Sequence, residues 1–323
     1  VIRTATRADL PRIIELFGKS NDAPYDLGVV AEEKCFGAGV SGETTVSVFG
    51  DFDGVSVVCG KSLRILAIDR RQRWRGVGSA LLRDAVSRGA RVVAAEAGNY
   101  FTPGVVITDT PAIDFFTKRG FRETAKTDNL VVELGVGSGG WGVGENHQIP
   151  LHTVESRANR TPSLPHPTPH TPHPTLESRA NRTPSLPLPT PHTPHPIRVT
   201  AQTRDRLLTF IEKEFGRIWR FEASNADENL FYVEVDGNIA GFAAHDANNR
   251  GLGFFGPTGV AVAHRGRGLG AALLRASLAD LRRLGYERAI IPWTDALDFY
   301  RKACGATVAA QFVTLARDVD SAP

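Results

Sequence analysis

AVAHRGRGLGAALL, residues 261–274, sets Arg265 and Arg267 among glycines directly before a leucine-rich helix, and a close copy, IDRRQRWRGVGSALL, occupies residues 68–82. A strand followed by Arg-x-x-Gly-x-Gly and a helix places several backbone N–H groups at the positive end of the helix dipole. Glycine lets the chain curl closely enough for those groups to converge on one anion. The segment therefore reads as a pyrophosphate cradle, built in the second copy from Arg265, Gly266, Arg267, Gly268, Leu269 and Gly270 after Val260, Ala261 and Val262. In the first copy the corresponding residues are Arg73, Gly76, Val77 and Gly78, after Ile68. Flanking arginines favour a polyanionic ligand. The competing reading is a turn that merely joins strand to helix, and its recurrence in the same setting weighs against that.

The sequence on either side of each loop follows one order. In the first half Thr6 caps a helix with apolar Leu10, Ile13, Ile14 and Phe17, stopped by Gly18. Strand-like runs at 44–50, 54–60 and 62–68 lead into the loop and a helix through Leu81, Leu82, Ala85 and Val86. RVVAAEA (91–97) reads as a strand buried on both faces, PAIDFFTKRG (111–120) as a helix begun by Pro111, and NLVVELG (129–135) as a last strand. The second half repeats this: a helix capped by Thr203, strands at 229–235 and 239–245, FFGPTGVAV (254–262), the loop, a long helix, RAIIPW (288–293) and DALDFYRKACG (295–305). Even short words recur, GSALLR with GAALLR and AIDFF with ALDFY.

Between the halves, ESRANRTPSLPHPTPHTPHP (155–174) returns at 177–196 with a single difference, His166 against Leu188. This proline-rich duplication holds almost no large apolar residues, so an extended linker over 140–196 is expected. Domains at 1–139 and 197–323 follow. Histidines spaced along such a segment share no helical face, and no metal site is expected. Cys35, Cys59 and Cys304 are widely spaced and suit reduced thiols better than a disulfide framework. The net charge of +3 lacks the clustered basic stripe of a nucleic-acid surface, and no run approaches the ~18 apolar residues of a membrane span, so neither partner is expected and the cytoplasm is the expected location.

The glycine spacing narrows the anion. A dinucleotide fold wants Gly-x-Gly-x-x-Gly straight after its first strand, whereas Gly76-x-Gly78 runs on to Leu81 and Gly268-x-Gly270 to Leu273, with antiparallel strands before each loop. RGRGLGAALL and RWRGVGSALL instead resemble the signature of the GNAT superfamily of acetyl-CoA-dependent N-acetyltransferases, Arg/Gln-x-x-Gly-x-Gly/Ala between a bulged fourth strand and a long helix. The resemblance covers both halves. It implies an α/β (α+β) chain of two tandem GNAT-like domains, each a mixed, largely antiparallel sheet splayed after strand four and flanked by helices. Acetyl-CoA would be the co-substrate and a small-molecule amine the acceptor, and packing of the two domains on each other is allowed. By position the fourth strand of the second half is Pro257 to Val262, with Gly259 as bulge residue.

The resemblance also implies roles. An oxyanion donor is expected from the backbone N–H of Val260 or Ala261, and the proton for the departing thiolate from Tyr300 in ALDFYRKACGA. Phe116 stands at the matching place in the first half and cannot donate a proton, which points to the second half as the catalytic one. The general base stays open among Asp295, Asp298, His245, Glu234 and a water chain. The resemblance puts the acceptor pocket around Arg217 to Asn225 and Trp293 to Asp295, and GNYFTPGV (98–105) resembles a loop of tandem members that makes an amino sugar one acceptor candidate beside a polyamine, an aminoglycoside, a thiol-ligand amine or a peptide N-terminus. A non-enzymatic acyl-CoA sensor or scaffold is the alternative from another class, and a nucleotide-dependent oxidoreductase a third.

Overall fold

Both glycine-arginine loops join a strand to a helix in the computed structural model, which describes residues 1–20, 23–135 and 194–318. Most of the duplicated proline-rich segment lies outside the described residues, and so do its histidines apart from His195. The first half begins with β1 (Ile2–Thr4), α1 (Leu10–Ser20), α2 (Ala31–Phe36), β2 (Thr44–Phe49), β3 (Gly54–Cys59) and β4 (Ser62–Ile68). It continues through α3 (Val77–Ser87), β5 (Val92–Val93), β6 (Val105–Val106), α4 (Thr110–Thr117) and β7 (Arg122–Glu133). The second half runs β8 (Ile197–Arg198), α5 (Ala201–Phe215), α6 (Arg217–Ser224), β9 (Leu230–Val235), β10 (Asn238–His245), β11 (Phe255–Val260), α7 (Leu269–Arg283), β12 (Arg288–Thr294), α8 (Leu297–Cys304) and β13 (Thr307–Ala316).

Several boundaries differ from the sequence reading for local reasons. Gly18 lies inside α1, and Thr6 caps a single 3-10 turn ahead of the helix, its N–H donated to the Asp9 carboxylate at 2.9 Å. At α5 the capping residue is Thr200; Thr203 is its partner three residues on, accepting the Thr200 N–H at 3.0 Å. RVVAAEA keeps only Val92–Val93 as strand, because Ala94 and Ala95 turn into left-handed conformation at φ 54° and 45°.

The halves exchange their last strands. One sheet has the order β1-β2-β3-β4-β5-β13-β7-β12, so β13 of the second half lies between two strands of the first, and β7 of the first pairs with β12 of the second. A second, antiparallel sheet runs β11-β10-β9-β8. The two meet where β11 and β12 diverge, at a single parallel bridge between Phe254 and Ile290. The exchange is paid into the cores: Val313 and Leu315 of β13 pack with Phe116, Phe121 and Val93, while Leu130, Val132 and Leu134 pack with Leu273, Leu278 and Ile291. At ~1.5–3 kcal/mol per buried aliphatic side chain, each exchanged strand contributes several kcal/mol to the other half, as an upper bound.

Polar contacts close the same seam. Asn248 and Asn249 donate their side-chain amides to the Tyr100 and Phe101 carbonyls, both at 3.0 Å, and the Glu33 carboxylate accepts the N–H of Asn249 and Arg250, again at 3.0 Å.

Candidate active site

The splay between β11 and β12 opens into a cavity of about 270 Å³ in the second half. Tyr300 and Phe299 of α8 form one wall, Val260, Gly259 and Thr258 of β11 another, and Phe215 with Trp219 a third; Arg265 and Gly270 line it from the glycine loop. The Phe215 and Trp219 rings stack at 5.2 Å between centroids. They close over Gly259, where a Cβ would stand 2.6 Å from Phe215 and 3.0 Å from Trp219. Gly259 is therefore a close-approach residue rather than the bulge. It pairs in register with Phe242, and the extra residue of β11 falls between Phe255 and Thr258, at the cis Gly256–Pro257 bond.

Ladder geometry separates the two expected oxyanion donors. Ala261 donates its N–H to the Ala240 carbonyl at 2.9 Å and is committed to the sheet. With Gly241 opposite Val260, this makes that pair a non-hydrogen-bonded one, so Val260 turns its N–H and C=O away from β10, toward the splay. Its carbonyl accepts Arg265 Nε at 3.1 Å, which ties the loop to the strand.

The loop leading into α7 turns on two glycines. Gly266 and Gly268 lie at φ 76° and 78°, with open space where Gly268 would carry a side chain. The first intrahelical bond of α7 is donated by Ala272 to Gly268, so the N–H groups of Leu269, Gly270 and Ala271 face out of the helix end. Leu269 itself is buried and offers only backbone; Val262 opens a 3-10 turn and is exposed. Arg267 is exposed beside the same loop.

Tyr300 is 7% exposed, its ring edge-on to Phe255 and Phe299. Burial, assisted by the nearby charges of Cys304 and Asp295, raises the pKa of its hydroxyl, which stays protonated at neutral pH. Among the candidate bases, His245 is fully buried and bonded through Nε2 to Asp280 at 3.0 Å, beneath α7. Glu234 pairs with Arg206 at 3.0 Å. Asp298 points to solvent and Asp295 is exposed.

The first half keeps the loop and changes its surroundings. Gly76 caps α3 at φ 84°, and Gly78 faces Phe115 at 3.5 Å from a built Cβ, as Gly270 faces Phe299 at 3.7 Å. Val77 is buried, Ile68 ends β4, and Arg73 donates to the Ser20 carbonyl at 2.8 Å. Trp74 takes the place of Gly266, left-handed at φ 65° and 91% exposed. Phe116 lies in the core against Phe121. Trp219 falls inside the 217–225 stretch where the acceptor pocket is expected and Phe215 just before it, whereas sequence reasoning missed the polar seam, which carries no local signature.

Cys35 and Cys59 are buried free thiols and Cys304 a half-buried one. Among the described residues no group of His, Cys, Asp or Glu could hold a metal ion, and no helix is long and apolar enough to cross a membrane.

The second half thus combines a splayed sheet, a glycine loop at a helix N-terminus, and a cavity lined by both Val260 and Tyr300. Residues 199–306 match the family described as Acetyltransferase (GNAT) family. The second half thus carries a GNAT-family domain, and the whole chain has the fold of a tandem GNAT protein. The fold is shared with a GCN5-related glucosamine N-acetyltransferase region of a fungal multi-domain β-N-acetylglucosaminidase, at TM-score 0.67 and 15% identity over 98% of this chain and 38% of that one. This chain thus spans well under half of that protein. A GCN5-related N-acetyltransferase from Sphaerobacter thermophilus aligns at TM-score 0.60 and 16% identity, covering 98% and 94% of the two chains. A tandem GNAT protein from the clavulanic acid biosynthesis pathway aligns at TM-score 0.61 and 13% identity, covering 100% and 99%. A comparison with curated proteins found no match.

Proposed function

We propose that the chain transfers an acetyl group from acetyl-CoA to a primary amine of a small molecule, with the chemistry in the second half. The observation that carries this reading is the pairing of Val260 and Tyr300 on two walls of one cavity that the glycine loop also lines. Acetyl-CoA supplies the activated thioester. The helix-end N–H groups from Leu269 onward and Arg265 would hold its pyrophosphate, and the glycine at 268, with nothing over it, leaves room for close approach. The Val260 N–H is placed to bind the carbonyl oxygen as it gains charge, and Tyr300 to protonate the departing sulfur. With Phe116 in the core, the first half serves as a structural partner rather than a second catalyst. We assign the domains to 1–139 and 197–323 and place the protein in the cytoplasm. The name of the fungal neighbour makes glucosamine the first acceptor to try.

Calorimetry of acetyl-CoA, paired with thiol-release assays on glucosamine, spermidine and alanine methyl ester, tests this. Saturable binding lost in Gly268→Val, together with turnover of at least one amine, is expected. Binding without transfer to any amine would favour an acyl-CoA sensor instead.

A further inference from the structure

Phe215 and Trp219 form a braced aromatic wall with a side open to the cavity. Their rings stack at 5.2 Å between centroids and 17° between planes, and Phe242, wholly buried, backs them at 5.3 and 6.1 Å. Both rings are half-buried and line the cavity. Phe299, 41% exposed, adds another open ring from α8. Such a wall is fixed before any ligand arrives, so little order is lost on binding.

Polar partners are scarce in the same lining. Among the described residues no acidic side chain lines the cavity, and Arg265 is its charged residue. Arg265 donates Nε to the Val260 carbonyl at 3.1 Å, and the Thr258 hydroxyl is donated to the Phe242 carbonyl at 3.0 Å. With Tyr300 assigned to the departing sulfur, the remaining side chains offer an acceptor flat apolar surface and the indole N–H of Trp219.

Amines fare differently against such surroundings. The other ammonium groups of spermidine would meet no carboxylate and one like charge, Arg265. The hydroxyls of glucosamine would exchange water for carbon. A volume of about 270 Å³ stands at the small end of ligand pockets, ~300–1,000 Å³, and leaves no room for an aminoglycoside. One aromatic ring on a short chain buries no polar group beyond the amine itself, and it finds other rings to meet face-on or edge-on.

The wall is also in the right place. Arg265 and Gly270 belong to the glycine loop and α7, where acetyl-CoA would be held, whereas Phe215 and Trp219 come from α5 and α6. They lie on Gly259, where a Cβ would stand 2.6 Å from Phe215. Gly259 directly precedes Val260, the donor to the reacting carbonyl in the transferase reading. A group packed on the wall therefore sits one residue along β11 from the chemistry.

Resting on that reading, we propose that the acceptor is an arylalkylamine: a small primary monoamine with one aromatic ring on a short chain, the ring packed against the Phe215–Trp219 wall. The cavity then holds the substrate by its apolar part and leaves its single polar group beside Val260 and Tyr300.

The test is thiol release from acetyl-CoA with phenethylamine, glucosamine, spermidine and alanine methyl ester, read as kcat/KM for wild type and Trp219→Ala, with acetyl-CoA affinity from calorimetry. Wild type is expected to favour phenethylamine by at least about tenfold over each of the others. Trp219→Ala is expected to raise KM for phenethylamine by about 10- to 100-fold, a larger effect than on kcat, with acetyl-CoA affinity kept; Trp219→Phe, which retains a flat ring, should recover most of the loss. A wild type that transfers to any of the other amines as well as to phenethylamine overturns the proposal and leaves the transferase reading intact. Transfer to none of them overturns both. An unchanged KM in Trp219→Ala overturns the placement of the ring and with it the proposal. Should Trp219→Ala lose acetyl-CoA binding, the wild-type ranking decides alone.

Discussion

Ala261 donates its N–H to the Ala240 carbonyl at 2.9 Å, and Val260, one residue earlier, turns its own N–H to the opposite edge of β11. Two proline substitutions should therefore behave differently. Val260→Pro removes a donor that the β10–β11 ladder does not use, a position where proline is compatible with a strand. It should lower kcat by about 10²- to 10³-fold with a small change in Tm. Ala261→Pro breaks a ladder bond and should cost about 1–3 kcal/mol of stability, read by denaturant unfolding. Equal kinetic effects from both would remove the distinction.

Tyr300→Phe keeps the ring packed against Phe255 and deletes only the hydroxyl. A fall in kcat of about 10²- to 10⁴-fold with acetyl-CoA affinity unchanged is expected from steady-state kinetics and calorimetry. An effect confined to affinity would sink the acid role.

Gly268→Val meets no neighbour with its Cβ, so its cost is conformational: φ is 78°, a region that costs a β-branched residue about 1–2 kcal/mol. The loop should shift and acetyl-CoA binding weaken. Gly76→Val carries the same backbone penalty at φ 84° and should lower Tm similarly while leaving the second half's binding in place.

His245 sets a pH dependence of stability. Burial, outweighing the attraction of Asp280, lowers its pKa from 6.5 to about 4. The unfolded chain then binds the proton more tightly, so stability is full above 6.5 and falls as pH drops toward about 4, by about 3 kcal/mol for this group. Urea unfolding of wild type and His245→Gln between pH 7 and pH 4 checks this; the variant should show a shallower slope.

Deleting β13 should damage the first half more than its place in the sequence suggests. Val313 and Leu315 fill the core around Phe116 and Phe121. Hydrogen exchange in a chain ending at Ala306 should show lost protection at Val92–Val93 and along β7. Retained protection there would mean that the first half closes its sheet alone.

The glycine loops, the repeated order of elements and the Tyr300–Phe116 contrast were legible in the sequence because they depend on local rules: left-handed glycines, helix-end N–H groups and apolar periodicity. Cap positions were read to within a few residues, since Thr200 and Thr203 carry the same chemistry and only backbone geometry picks the cap. The exchange of β7 and β13 was not legible. Each strand is apolar enough to complete either half, and which partner it takes is a matter of long-range pairing that local pattern does not encode. By itself the sequence determined where two glycine loops lead into helices and that Phe116 stands where the second half has Tyr300; the tertiary structure decided which backbone N–H faces the splay and what surrounds it, because those depend on register and on contacts between residues about two hundred positions apart.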